Sequence, residues 1–238
     1  MAITKFRAEV WENNLIDGNV HWVKFKLLEP LEIVFQAGQY GTYIINDSTR
    51  RTYSFCSSPQ QNTLTETCVD TSPEGLGSQW LENLKKGDVV EFLAPLGHFV
   101  VDKESPKDII FVATGTGISA IRSMIADLLS GEIGGDRERK ISLVFGVRDE
   151  DHQLFFEEFE NLAKEKTNFS FYPILSQPKK NWQGKAGRVN NILKTLKAEQ
   201  LINSKFYLCG NHEMIEGVKK QVLGLGVKIE DIHWEQFY

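Results

Sequence analysis

Two short stretches of this chain put reactive residue types where a bound molecule would need them. Arg51-Thr52-Tyr53-Ser54-Phe55-Cys56-Ser57-Ser58-Pro59 sets a guanidinium, an aromatic ring and hydroxyls along one extended segment. A planar guanidinium fork grips phosphate, and a tyrosine ring lies flat on another ring while its hydroxyl anchors in a polar pocket. A serine hydroxyl can donate to a ring nitrogen. The combination suits a phosphorylated aromatic cofactor. Strand alternation sends Arg51 and Tyr53 to one face and Ser54 to the other. The second stretch, Ile109-Ile110-Phe111-Val112-Ala113-Thr114-Gly115-Thr116-Gly117-Ile118-Ser119-Ala120, is an apolar strand entering a glycine-rich turn and a helix. Its Gly115–Ala120 part fits G-x-G-x-x-G/A, which lets a pyrophosphate approach the backbone at a helix start. A third element, Phe206-Tyr207-Leu208-Cys209-Gly210-Asn211, closes the set. Together they suggest two cofactors held face to face.

Each motif also has an ordinary reading. A lone Arg-Thr-Tyr-Ser string fits any half-exposed strand; the glycine fingerprint downstream is what favours a ligand. Pro73-Glu74-Gly75-Leu76-Gly77-Ser78 is either a flexible loop with a helix cap or an anion site at a helix start. Cys209 is either an inert small hydrophobe or a contact to a substrate ring, and both stay open on sequence grounds. Arg148, in Phe145-Gly146-Val147-Arg148, follows a strand end, the edge where ligands of open parallel sheets collect. The acidic residue that grips a ribose about twenty positions beyond the glycines has no counterpart at a strand end. Asp136 falls in a polar loop. His98, His152, His212 and His233 have no metal-ligand spacing, and no metal is expected.

The elements that position these residues follow from periodicity and turn signals. Phe6 to Trp11, Val20 to Leu27, Gly41 to Ile45, Arg51 to Cys56, Leu64 to Val69 and Val89 to Leu93 are short runs rich in β-branched and aromatic residues. They are separated by turns such as Asp17-Gly18 and Lys86-Gly87-Asp88, the pattern of a small barrel. One helix interrupts them from Ser78 to Lys85, with Ser78 as its N-cap. After the polar stretch Lys103 to Asp108, strands and helices alternate. Strands are expected at 109–113, 141–145, 169–175, 206–209 and 232–237, with helices at 118–129, 154–164, 189–196 and 214–223. Alternation of this kind implies a parallel sheet with helices on both faces. The expected fold is therefore an N-terminal antiparallel six-stranded β-barrel over 1–102 and a C-terminal α/β parallel-sheet nucleotide-binding domain over 103–238.

Composition narrows the class. The 238 residues are 41% hydrophobic, enough for one large or two compact cores, and the net charge of -5 argues against nucleic acid as main partner. The three cysteines, Cys56, Cys68 and Cys209, form no CxxC pair, which disfavours zinc and a chain-held iron–sulfur cluster. Their odd number fits free thiols in a reducing compartment. The N-terminus lacks the apolar core of a signal peptide, and no apolar run is long enough to span a bilayer. The expectation is a cytoplasmic protein.

With its motifs in this order, the chain resembles the ferredoxin–NADP+ reductase-like family of flavoprotein oxidoreductases over essentially its whole length. Arg51-x-Tyr53-Ser54-x-x-Ser57 is similar to the family's flavin signature, Gly75 to Ser78 to its phosphate loop, and Ala94-Pro95-Leu96-Gly97-His98-Phe99 to its Gly-Pro-x-Gly-x-Phe turn. Ala113 to Ala120 is similar to its nicotinamide-nucleotide loop, and Tyr207-x-Cys209-Gly210 to its nicotinamide-side cysteine. The resemblance implies that Arg51, with Thr52, holds the flavin pyrophosphate, that Tyr53 stacks on the isoalloxazine, and that Ser54 bonds near N5. It implies amides from Gly75, Leu76, Gly77 and Ser78 on the pyrophosphate. Thr114, Gly115, Thr116, Gly117, Arg148 and Gly210 would line the nicotinamide nucleotide, with Cys209 close to the hydride-donating carbon. In the ending Trp234-Glu235-Gln236-Phe237-Tyr238, Glu235 would join Ser54 and Cys209 as a catalytic group, and Phe237 or Tyr238 would shield the flavin.

Three departures bear on specificity. Ala94 replaces the usual Gly, and Ala120 stands where Pro is common. In Ser176-Gln177-Pro178, Gln177 stands where NADPH-using members carry an arginine for the 2′-phosphate. Gln177 cannot make that charge-assisted contact, so the resemblance leans to NADH, with Lys179, Lys180 and Arg148 as cations that keep NADPH open. The implied cofactor is FAD in preference to FMN. No fused ferredoxin domain is recognisable, so the implied acceptor is external: a small iron–sulfur protein, a flavodoxin or an oxygenase component. Two alternatives are a reductase of free flavin or small oxidants, and a non-catalytic flavin-binding regulatory subunit.

Overall fold

The computed structural model describes residues 2–72, 74–130 and 139–237. Asp136, Pro73 and Tyr238 lie outside the described residues. The chain divides into two compact units, residues 1–101 with 119–130, and residues 102–118 with 131–238.

The first unit is a six-stranded antiparallel sheet of β1 (Thr4–Asp17), β2 (Val20–Glu29), β3 (Tyr40–Ile44), β4 (Arg50–Ser54), β5 (Leu64–Asp70) and β6 (Val89–Leu96), in the order β4-β3-β6-β1-β2-β5. The two outer strands are brought together where the Cys56 N–H, just beyond β4, donates to the Glu66 carbonyl of β5 at 2.8 Å. That contact rolls the sheet into the expected barrel. Alternation explains the interior. Phe6, Ala8 and Val10 of β1, and Val23, Phe25 and Leu27 of β2, all point into one core with Tyr43, Phe55 and Phe92. The rings interlock: Phe6 on Phe92 at 5.3 Å, and Tyr43 on Phe92 at 4.9 Å and on Phe25 at 5.1 Å. The helix α1 (Leu76–Asn83) closes one end with Leu81, which is fully buried. Ser78 is not its N-cap. The extended backbone of Gly75 at ψ 172 starts the helix earlier, so Ser78 is its third residue and no side chain caps it. The helix α2 (Ile118–Leu129) begins where the sequence places it; its residues 119–130 group with this first unit.

The second unit is a parallel six-stranded sheet. It comprises β7 (Asp108–Thr114), β8 (Ile141–Val147), β9 (Phe169–Leu175), β10 (Lys185–Ala186), β11 (Ser204–Gly210) and β12 (Ile232–Gln236), in the order β10-β9-β8-β7-β11-β12. Strand β8 is buried at every residue, as expected of a strand covered on both faces. On one face, α3 (Phe156–Glu165) sets Phe156 against Phe145 and Phe171 at 5.4 and 5.3 Å. On the other, α4 (Val189–Leu193) and α6 (His212–Gly224) bury Ile192, Ile215 and Val218 on Val112, Val144 and Leu208. The short α5 (Ala198–Ile202) and the two-residue β10 have no sequence-level counterpart among the expected elements. The order reverses between β7 and β11, the switch point at whose carboxyl edge such sheets bind ligands.

Among the described residues, no helix is long and apolar enough to cross a membrane. All three cysteines are buried and free. Burial raises the Cys68 thiol from 9.0 to about 12, with the Ser119 hydroxyl and the Arg122 cation opposing the shift. The unfolded thiol ionises near 9 while the folded one keeps its proton, so the unfolded state binds fewer protons between these values and stability falls as pH rises. We expect denaturant midpoints to hold up to pH 9 and then drop towards pH 12, with a shallower drop in Cys68→Ala.

Candidate functional site

In the first unit, β4 carries Arg51 and Tyr53 to the start of α1. A β-carbon added at Gly77 would lie 2.8 Å from both Arg51 Cγ and Tyr53 Oη, so guanidinium stem, phenol hydroxyl and helix start converge on one place. The first turn of α1 has neither a capping side chain nor an acidic residue, which leaves its amides to point outwards. Arg51 Nη1 also donates to the Arg50 carbonyl at 2.8 Å. Thr52 is exposed, as are Gly75 and Leu76, while Ser78 is partly covered. The Tyr53 hydroxyl is pushed up to about 12 by burial, against the opposing pull of Arg51, and so stays a neutral donor at ordinary pH. Its ring stands 5.5 Å from Tyr43, which packs it from inside the barrel. Ser54 is buried at 8% exposure. A guanidinium, a neutral phenol and uncapped helix amides form the donor set of a pyrophosphate cradle. It fits FAD.

In the second unit, the strand ends of β7 and β11 form the other site. Gly117, in the tight turn 115–117, sits so near β11 that an added β-carbon would be 2.4 Å from the Cys209 carbonyl oxygen. Gly210 has φ +154, and a β-carbon there would be 2.1 Å from Thr114 Oγ1. Only glycine permits either approach. The Thr114 hydroxyl is buried with no hydrogen-bond partner, an unusual state that calls for one. Gly115 has φ +52 and open space beside it, and Thr116 is partly exposed. A glycine turn at the switch point with an orphaned hydroxyl fits a dinucleotide. Cys209 pairs in register with Glu235 of β12. Burial, and then the Glu235 carboxylate, push the Cys209 thiol well above its usual value, so it is a neutral thiol and not a thiolate. The Phe237 N–H donates to the Gly210 carbonyl at 2.9 Å, which fixes the chain beyond β12 at the same strand end.

Two of the cations at this edge, Arg148 and Lys179, are engaged. Arg148 Nε donates to Gln177 Oε1 at 3.2 Å. Lys179 Nζ meets both oxygens of Asp151 at 2.7 and 2.8 Å, and its N–H donates to Glu150. Asp149 pairs with His152 at 2.6 Å. The structure thus gathers Arg51, Tyr53, Gly77 and the α1 start in one unit, and Thr114 to Gly117, Cys209, Gly210, Glu235 and Phe237 in the other. Sequence reasoning passed over the acidic run Asp149 to Asp151, which follows β8 after Arg148. The signal was a strand-end position, displaced far past the usual twenty residues by the connection before β8.

Residues 7–101 match the oxidoreductase FAD-binding domain, and residues 111–220 match the oxidoreductase NAD-binding domain. The reductase component DmpP of phenol 2-monooxygenase from Pseudomonas sp. strain CF600 is 35% identical over 218 residues, covering 90% of this chain and 60% of that protein. One component of the Na(+)-translocating NADH-quinone reductase from Marinomonas sp. strain MWYL1 is 30% identical, over 81% of this chain and 50% of that protein. The Amycolatopsis cytochrome P450 reductase GcoB has the same fold, with a TM-score of 0.83 at 24% identity, over 99% of this chain and 70% of that one. An FAD-binding barrel followed by an NAD-binding parallel sheet defines a two-domain flavoprotein oxidoreductase. The chain belongs to the ferredoxin–NADP+ reductase-like family. It spans about half to two thirds of the length of the curated relatives it matches.

Arg51→Ala and Gly117→Ala should act on different units. The first removes an exposed guanidinium, leaves thermal unfolding unchanged, and weakens FAD binding by about tenfold to a hundredfold, the value of one charge-assisted contact. The second drives a β-carbon into backbone and costs about 1–3 kcal/mol of stability. Flavin titration and calorimetric melting of the two variants would read both effects.

Proposed function

We propose that this protein is an FAD-dependent NAD(P)H oxidoreductase that takes hydride from reduced nicotinamide and delivers electrons to an external acceptor. The observation that carries the reading is the presence, in one chain, of the Arg51–Tyr53–Gly77 cradle and the Thr114–Gly117 turn with its unsatisfied hydroxyl. Residues 1–102 would hold the flavin and 103–238 the nicotinamide nucleotide. When bound, a flavin supplies the capacity to accept a hydride and release electrons singly.

The chain's own residues would bind and orient. Arg51, Thr52 and the amides of Gly75, Leu76, Gly77 and Ser78 hold the pyrophosphate. Tyr53, kept neutral, supplies a ring face, and Ser54 donates a hydrogen bond to the reacting edge. Thr114, Gly115, Thr116, Gly117 and Gly210 seat the nicotinamide nucleotide, and Arg148 lies towards its adenosine end. Cys209 presents a neutral, apolar sulfur to the nicotinamide ring, with Glu235 beside it to hold or pass a proton. Phe237, or Tyr238 after it, would shield a bound flavin. Orientation of the reacting carbon and nitrogen is the main contribution asked of these groups.

NADH is the preferred coenzyme. Gln177 offers no charge to a 2′-phosphate, and its carbonyl oxygen occupies Arg148. Lys179 is held by Asp151 among three carboxylates, Asp149 to Asp151, that repel an added phosphate. A relative that is part of a NADH-quinone reductase agrees with this preference. The acceptor is a separate small iron–sulfur protein, flavodoxin or oxygenase component, and the compartment is the cytoplasm, where buried free thiols persist.

Anaerobic stopped-flow mixing should bleach the flavin of the FAD-loaded protein with NADH, and more slowly with NADPH. Gln177→Arg should raise kcat/KM for NADPH by about tenfold or more through a charge-assisted bond. FAD-loaded protein that stays oxidised with both coenzymes would remove the oxidoreductase reading.

A further inference from the structure

The polar residues of α2 are spaced along one side of it. Ser119, Arg122, Ser123 and Asp127 recur at helical intervals of three and four. Each is bonded to the segment that follows β4 or to β5. Ser119 Oγ donates to the Cys68 carbonyl at 3.0 Å, Ser123 Oγ to the Ser57 carbonyl at 2.7 Å, and Gln60 Nε2 to Asp127 at 2.9 Å. Arg122 Nη1 donates to the Cys56 carbonyl at 2.7 Å and to Glu66 Oε2 at 2.9 Å. Trp22 Nε1 donates to the same Glu66 oxygen at 3.1 Å, and the guanidinium lies 5.4 Å from the Trp22 ring.

Arg122 is partly buried and Glu66 buried, with side chains 15% and 8% exposed. A buried ion pair is a weak source of stability, because apolar residues of similar size often fill the space as well. What an apolar pair cannot do is hold a carbonyl. The Cys56 peptide is fixed on both sides: its N–H by the Glu66 carbonyl at 2.8 Å, its C=O by Arg122. Glu66 therefore clamps this residue twice, once through its own backbone and once through the guanidinium it neutralises. Cys56 stands two residues beyond Ser54 and three beyond Tyr53, so its orientation sets how β4 leaves the barrel.

We propose that Arg122, braced by Glu66, is a positioning residue for flavin binding, holding the Cys56 carbonyl so that the exit of β4 aims Tyr53 and Ser54 at the isoalloxazine. This rests on the flavoprotein reading above. Neither residue touches the flavin in this account; both act through the backbone of Cys56.

The test is FAD titration of flavin-free protein, followed by fluorescence, with the shape of the flavin absorbance band as the second readout. Arg122→Met alone would strand a buried carboxylate, so it is paired with Glu66→Gln. The double variant should melt cooperatively like the parent, bind FAD roughly tenfold more weakly, and show a broadened band from a less fixed ring environment. Arg122→Lys keeps the charges balanced, but its nitrogen lies one bond short of Nη1, the single nitrogen that serves both Cys56 and Glu66; it should weaken FAD binding severalfold. Parent-level affinity and band shape in Arg122→Lys, or in a folded double variant, would overturn the assignment. A parent chain that takes up no FAD overturns the flavoprotein reading as well, which separates the two failures.

Discussion

Burial of the central parallel strands on both faces is the constraint from which the second unit follows. Strand β8 exposes no residue, and Ile109 to Ala113 of β7 and Phe206 to Gly210 of β11 are as deeply covered. A strand in that position must satisfy every backbone group in its ladders, so it has no freedom along its length. Freedom returns only at the carboxyl ends. There the chain must turn sharply beneath neighbouring backbone, and Gly117 and Gly210 are the residues that allow it. The same tight turn that packs β7 against β11 leaves the Thr114 hydroxyl buried and unmatched. Packing and ligand chemistry are thus consequences of one geometric demand.

The barrel solves a different problem. Its interior is filled by interlocked rings from β1, β2, β3 and β6, which makes a firm wall behind β4. β4 itself is exposed at Arg50, Arg51 and Thr52, and it turns inward only at Ser54. The ring wall gives Tyr53 a backing through Tyr43, and α1 meets it from the other side at Gly77. Beyond Ser54 the segment runs through buried Phe55, Cys56 and Ser57, where its carbonyls are taken by side chains of α2. A half-exposed strand is thereby held by a rigid core on one side and directed hydrogen bonds beyond its end.

Much of this is legible from residue order because it depends on local rules. The apolar run 109–113 and the turn 115–117 mark strand, turn and helix start without ambiguity, and α2 ends at Leu129 where its periodicity stops. Alternation places Arg51 and Tyr53 together, and both do reach Gly77. The start of α1 misleads because a serine in the right neighbourhood imitates a cap, while the chain uses an extended glycine instead. Helix α5 and strand β10 are too short to show a period. The Arg122–Glu66 pair is illegible for a different reason: its members are 56 residues apart, and nothing local ties a cation on an apolar helix to a carboxylate on a strand. The engagement of Lys179 by Asp151 is hidden in the same way, across 28 residues.

The depth of the sulfur atoms has a consequence for survival. Reduced flavins pass electrons to dioxygen when no better acceptor is at hand, so a flavin carrier is exposed to peroxide of its own making. Peroxide attacks thiolates, not thiols. Cys56 and Cys209 have no exposure and Cys68 has 4%, and the Cys68 and Cys209 protons are held more tightly than those of a free cysteine. For the flavoprotein reading proposed above, the burial of Cys56 and Cys68, the two thiols outside the nicotinamide site, would keep them out of reach of such peroxide.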